Sequence, residues 1–297
     1  MSKITPDFTF VGATRSAGLY ITKILMSHPD IFIGAGAGSI AERKNLNFYN
    51  DDLTDPYFQQ FKGHKDKILG ESKRNYYLYK KSSDGKSVAH KIFDMNPNMK
   101  ILISLRNPIH RAFSHYIKIS KQGLINSPRG LIEDYNFLLA NEPNSGYYSI
   151  SRVITDSLYH ENVKNYIDLF SKRKVKIIIH HDELWFKDWK KARPQETFEE
   201  IFNFLGVDSN FVSPLLSSQV NTLSMAIQGR SSPLLLFYRL LNRLGFYKLS
   251  RHMFSYVPKS PQINEKTYVF LLEKFMDDIV ALEKLLNIDL SSWKRYK

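Results

Sequence analysis

KILISLRNPIHRAFSHY, residues 100–116, is the stretch on which the reading of this chain turns. Ile101 to Leu105 form an apolar run with little alternation, which suits a strand buried on both faces of a parallel sheet. Such a strand delivers Arg106 to its C-terminal edge, where open α/β sheets bind ligands. Asn107 is a favoured N-cap and Pro108 suits the first helical position. From Pro108 the spacing predicts a helix that buries Ile109, Phe113, Tyr116 and Ile117 and sets His110, Arg111 and Ser114 on a neighbouring face. Arg106 and Ser114 are therefore expected to converge on one anion, with a paired guanidinium donor and a hydroxyl.

Moving outward, Phe8 to Gly12 (FTFVG) reads as a first strand, followed by a polar loop and a helical pattern through Leu19, Ile24 and Leu25. Ile31 to Ile33, the stretch KILGE ending at Glu71, and Val175 to Ile179 supply three further strands. Helical segments separate them. This predicts a doubly wound α/β sheet, P-loop-like in outline and flanked by helices. Gly34, Gly36 and Gly38 do not fit GxGxxG spacing and read as a tight turn. Residues 207–233 are loop-like, whereas 234–247 and 265–287 look helical. Leu271, Leu272, Phe275, Ile279, Leu282 and Leu286 keep helix spacing. The expectation is one domain over 1–297 with a C-terminal helical cap from about residue 234.

Composition narrows the chemistry. With no cysteine, disulfides, thiolate catalysis and Cys-based zinc sites are excluded. No apolar run reaches the ~18–20 residues of a membrane span. The stretch MSKITPDFTFVGA lacks the pattern of a secretory signal, so a cytoplasmic protein is expected. A net charge of +13 favours anionic partners. The basic residues are scattered, without an extended tail, which weighs against nucleic acid.

Arg106-Asn107-Pro108 with Ser114 eight residues after the arginine resembles the 3′-phosphate motif of sulfotransferases that use 3′-phosphoadenosine 5′-phosphosulfate (PAPS). The resemblance is closest to the Golgi heparan-sulfate type and its bacterial relatives. In that family a Lys-(Ser/Gly)-Gly-Thr-(Thr/Ser) loop after the first strand holds the 5′-phosphosulfate. Here Arg15, Ser16, Ala17, Gly18 and Leu19 occupy that place. Arg15 keeps a cation there, Ala17 replaces the glycine, and the two hydroxyl residues are gone. The loop lacks Gly-Lys-(Ser/Thr), so it is no Walker A loop.

The family's Lys-Glu base pair corresponds to Lys44-Asn45, where an amide replaces the carboxylate; Glu42 lies nearby. Gly70 to Tyr76 resembles the family's Gly-Glu-(Lys/x)-(Ser/Thr)-x-x-Tyr region, which implies Glu71 as base and Lys73 as a charge-offsetting residue. A structural ion pair of Glu71 with Lys73 or Arg74 is the alternative. His64, His90 and His115 qualify as bases by chemistry alone. Tyr159, ahead of an amphipathic helix, and Arg230, in the loop 221–233, are implied cofactor contacts. Val175–Leu184, Phe198–Val207 and Trp293 extend the resemblance towards the end of the chain.

The resemblance thus implies metal-free sulfuryl transfer from PAPS to a hydroxyl of an acceptor that the sequence does not identify; a saccharide or other anionic substrate is one candidate, and a lipid, a peptide or a small metabolite are others. The alternatives are a catalytically weakened homologue that binds a nucleotide or glycan, and a nucleic-acid-binding protein.

Overall fold

The computed structural model describes residues 4–34, 55–72, 78, 87–121, 130–140, 145–180, 194–216 and 262–296. Within these, five strands form one parallel sheet: β1 (Phe8–Gly12), β2 (Ile31–Ile33), β3 (Ile68–Ser72), β4 (Lys100–Arg106) and β5 (Val175–His180). Their spatial order is β2-β3-β1-β4-β5. The expected strand at Lys67–Glu71 is observed one residue later. β4 runs on to Arg106, which pairs with His180 of β5.

Helices cover both faces. α1 (Gly18–Ser27) and α8 (Pro194–Leu205) lie on one: Ile21, Ile24, Leu25, Phe198 and Phe202 pack against Phe8, Phe10 and Leu102. Successive strand residues point to opposite faces, so Ile101, Ile103 and Leu105 enter a second core. There they meet α3 (Val88–Met95), α4 (Pro108–Lys121) and α7 (His160–Phe170). α2 (Asp55–Gln59) packs near β3, while α5 (Leu131–Ala140) and α6 (Ser145–Thr155) lie beside α4. The doubly wound parallel arrangement is thereby observed.

α9 (Glu265–Leu286) follows the predicted helix closely. Asn264 caps its start, accepting from Thr267 N–H, and Asn287 ends it in the left-handed conformation at φ 56°. Leu271, Phe275, Ile279, Leu282 and Leu286 join the second core, so this helix packs on α4 and α7 and belongs to the same apolar interior as β4. The expected helix at 234–247 lies outside the described residues.

The sheet order creates a crevice. The chain leaves β1 through α1 towards β2, on one side and face, and leaves β4 through α4 towards β5, on the other. The loops after β1 and β4 therefore diverge, and the gap between them is the topological switch point where such sheets bind ligands.

Candidate active site

The loop from Ala13 to Ala17 is pinned to β4 by its carbonyls. Ser104 Oγ donates to Ser16 O at 2.7 Å, Arg106 Nη1 to Arg15 O at 3.4 Å, and Ala13 N–H to Ser104 O at 2.7 Å. Arg15 and Ala17 adopt left-handed backbone at φ 68° and 58°. The glycine that the resembling family carries at the Ala17 position has its reason here, since a Cβ in this region costs roughly 1–2 kcal/mol. α1 begins immediately after. Its first backbone bond is Ile21 N–H to Ala17 O, no side chain caps it, and its first turn holds no acidic residue. The first-turn amides and the positive end of the helix dipole are left for an anion.

Three arginines gather beside this helix start. Arg15 donates from Nε and Nη2 to Ser114 Oγ at 3.0 and 2.8 Å. Arg106 reaches the loop from β4. Arg111, one turn before Ser114 in α4, is fully buried. Among the described residues no carboxylate forms an ion pair with Arg15 or Arg111. Burial and then the charges of Arg106 and Arg111 lower the Arg15 pKa to about 10. Like charges are thus held together in a poorly solvated place, and a bound anion would relieve both costs.

α4 is positioned as its sequence predicts. Asn107 Oδ1 accepts from Ile109 N–H at 2.9 Å, and the helix ladder starts with Arg111 N–H to Asn107 O. This start aims Ser114 back at the switch point. The Ser16 hydroxyl is fully buried beside the Tyr159 hydroxyl, close enough to favour the tyrosinate, but has no partner at good hydrogen-bond geometry among the described residues. An orphaned buried hydroxyl costs about 1–3 kcal/mol. The buried Ser16 hydroxyl, the Arg15 guanidinium and the helix start fit a phosphorylated and sulfated nucleotide such as PAPS.

Tyr159 lies beneath the site and is fully buried. Its hydroxyl donates to Arg106 O at 3.0 Å, and burial pushes its pKa up against the pull of Arg111 and Arg106. Tyr159 and His160 both donate backbone N–H to the Asp278 carboxylate, at 2.7 and 3.0 Å, tying α7 to α9. Tyr159 is thus seen as a prop for the Arg106 backbone. Ala17, Gly18 and Leu19 form the start of α1.

Glu71 is not brought to this cluster. Its register partner is Thr9, four residues before Ala13, which is roughly 13 Å along a strand at ~3.3 Å per residue. Its carboxylate is buried and accepts from Tyr57 Oη at 3.1 Å, and Tyr57 is itself buried and held well above the usual phenol pKa. Ser72, one residue on, faces α1 and shares a 2.7 Å hydrogen bond with Thr22. His64 stacks on Phe32 and His90 sits against Ser87; neither joins the cluster. Lys73, Arg230, Glu42 and Asn45 lie outside the described residues.

Two residues of the cluster had only a weak signature in the sequence. Arg111 and His115 share the helix face of Ser114 by their spacing, but nothing in the sequence marks them as buried. His115 Nδ1 faces both terminal nitrogens of Arg111 at 3.4 and 3.5 Å. Burial, then Arg111, Lys118, Arg152 and Arg15, lower its pKa from 6.5 to about 2. The unfolded chain therefore takes up a proton at this residue below pH 6.5 that the folded chain refuses until about pH 2. Stability contributed by the neutral imidazole should fall as pH drops through that window, at up to ~1.4 kcal/mol per pH unit. Denaturant unfolding at pH 7 and 5 should show a smaller acid loss for His115→Gln than for the parent; equal losses would refute the assignment.

Neither a family model nor a curated protein matches the sequence. Among solved structures, the chain is similar to a sulfotransferase from Alicyclobacillus acidocaldarius, with a TM-score of 0.63 and 23% identity over 98% of this chain and 100% of that one. The sulfotransferase domain from the curacin biosynthetic pathway follows at 0.48 and 13%, covering 93% and 99% of the two chains. The mouse sulfotransferase SULT7A1, complexed with PAP, follows at 0.39 and 16%, covering 78% and 66%. The first comparison shows that this chain has the sulfotransferase fold; the other two are too distant to add to that. No helix among the described residues is long and apolar enough to cross a membrane, and none of them group as metal ligands.

Proposed function

We propose that this chain is a sulfotransferase that takes its sulfuryl group from PAPS and places it on a hydroxyl of an acceptor. One observation carries the proposal: Arg15, Arg106 and Ser114 meet at the switch point beside the bare start of α1, with no carboxylate on Arg15 among the described residues. PAPS supplies an activated sulfuryl group whose leaving group is a phosphate. Arg106 and Ser114 are assigned to its 3′-phosphate. The Ser16–Leu19 amides and the Arg15 charge are assigned to the 5′ end, where negative charge grows during transfer. Positioning and electrostatics then do most of the catalytic work. We assign Glu71 no part in this step, since its carboxylate is buried and accepts from Tyr57 beside α2.

The nucleotide test uses PAP, the desulfated product, against adenosine 5′-monophosphate. Calorimetry should show a preference for PAP of at least about tenfold, as one charge-assisted contact to the extra phosphate is worth ~1.5–3 kcal/mol. Equal affinities would overturn the assignment. A second reading, a homologue that binds PAP without turnover, is favoured by the position of Glu71 and by the loss of hydroxyls at Gly18 and Leu19. Conversion of PAPS to PAP separates the two.

A further inference from the structure

The hydrogen bonds of Arg111 run to Ser157, Arg152, Val153 and His115, and the functional assignment above does not use it. It is nevertheless a fully buried guanidinium. Its partners are unusual for a buried cation: Nε donates to Ser157 Oγ at 2.7 Å, Nη2 to Val153 O at 2.8 Å and to Arg152 O at 3.2 Å, and both terminal nitrogens face His115 Nδ1. Two of these acceptors are carbonyls of the last turn of α6. A helix C-terminus carries a partial negative charge of about one half. It satisfies the donors geometrically while leaving much of the positive charge uncancelled. Asp156, the nearest acid in sequence to these acceptors, is bridged to Arg152 at 2.8 Å.

The remaining charge has somewhere to act. Arg111 lowers the pKa of both Arg15 and His115, which places its field on the two side chains that flank or contact Ser114. The other charged or titratable groups around it are Arg106, Lys118, Arg152 and Tyr159. Three of these four are cationic. A buried charge without a full counterion costs several kcal/mol. Among the described residues no carboxylate pairs with Arg111, and an anion bound in the crevice would supply the missing charge.

We infer that Arg111 is a positioning residue of the anion site: a buried, permanent positive charge, anchored on the end of α6, that raises the affinity of the crevice for phosphate without touching it. The inference rests on the PAP site assigned above. Its consequence is that charge at position 111, more than the hydrogen bonds made there, governs the affinity for PAP.

Three variants separate charge from bonding. Arg111→Met removes the charge and keeps the stem, Arg111→Lys keeps the charge and loses the fork, and Ser157→Ala removes one bond. PAP and adenosine 5′-monophosphate binding are measured by calorimetry, and folding by denaturant midpoint. Arg111→Met should weaken PAP about tenfold and adenosine 5′-monophosphate less, since the field acts on every added negative charge. Arg111→Lys should stay within about threefold of the parent, and Ser157→Ala should lower the midpoint while leaving PAP affinity unchanged. If Arg111→Met does not fold, Arg111→Gln, which still reaches the α6 carbonyls, takes its place. A Lys variant as weak as the Met or Gln variant, or a charge-free variant that binds like the parent, overturns the inference. If the parent itself does not prefer PAP, the site assignment fails instead, and that outcome is read before any variant is compared.

Discussion

Arg106→Ala is expected to weaken PAP binding by about 10–150-fold, which is one charge-assisted interaction of ~1.5–3 kcal/mol at ~1.4 kcal/mol per tenfold. Arg106 stands at the last position of β4, where register with His180 and the Tyr159 hydroxyl on its carbonyl fix the backbone. Truncation therefore removes the guanidinium without loosening the strand. Adenosine 5′-monophosphate should lose much less, because it lacks the phosphate that Arg106 is assigned to hold and feels only the lost 3.4 Å bond to Arg15 O. Ser114→Ala removes a neutral donor and should cost less, about 0.5–1.5 kcal/mol. Calorimetry with both nucleotides decides the matter. A loss shared equally by the two would point to a damaged fold, and an unaffected PAP affinity would remove the anion site from this edge of the sheet.

Arg15→Met should lower turnover of PAPS by about 10²–10³-fold, the usual cost of deleting one preorganised donor from a site where charge develops. The measurement is release of PAP from PAPS, with a hydroxyl acceptor or water receiving the sulfuryl group. Affinity for PAP should fall much less, since Arg106 and Ser114 keep the 3′-phosphate. Arg15→Lys retains the charge but not the two-nitrogen grip on Ser114 seen at 3.0 and 2.8 Å. It should recover part of the lost rate, since a point charge suffices at the leaving phosphate while the fork does not transfer. Equal falls in turnover and in PAP affinity would make Arg15 a binding residue only. Unchanged turnover would take it out of the mechanism.

The parallel sheet was legible in the chain because its strands are buried on both faces. Runs such as ILISL have no amphipathic alternative to compete with, and each end could be read to within a residue. The α4 start was equally legible, since Asn107 and Pro108 act through local geometry. Arg106 and Ser114 followed from the same stretch, one at the strand edge and one two turns into the helix.

The sequence alone thus determined what is local: strand, cap, helix face, and the residue types of an anion site. Tertiary structure decided what depends on distant chain segments. It joined Arg15 to Ser114 across 99 residues, and set Tyr159 beneath Arg106 through Asp278 of the C-terminal helix. It also withdrew Glu71 from the cluster, because strand register carries it to the level of Thr9 and Tyr57 covers it. The burial of Arg111 was hidden for the same reason. A guanidinium four residues from a histidine reads as a solvated helix face, and only the packing of α6 over α4 removes the water and substitutes backbone carbonyls. Desolvation is a property of neighbours in space, so charge strength in this site could not be read from neighbours in sequence.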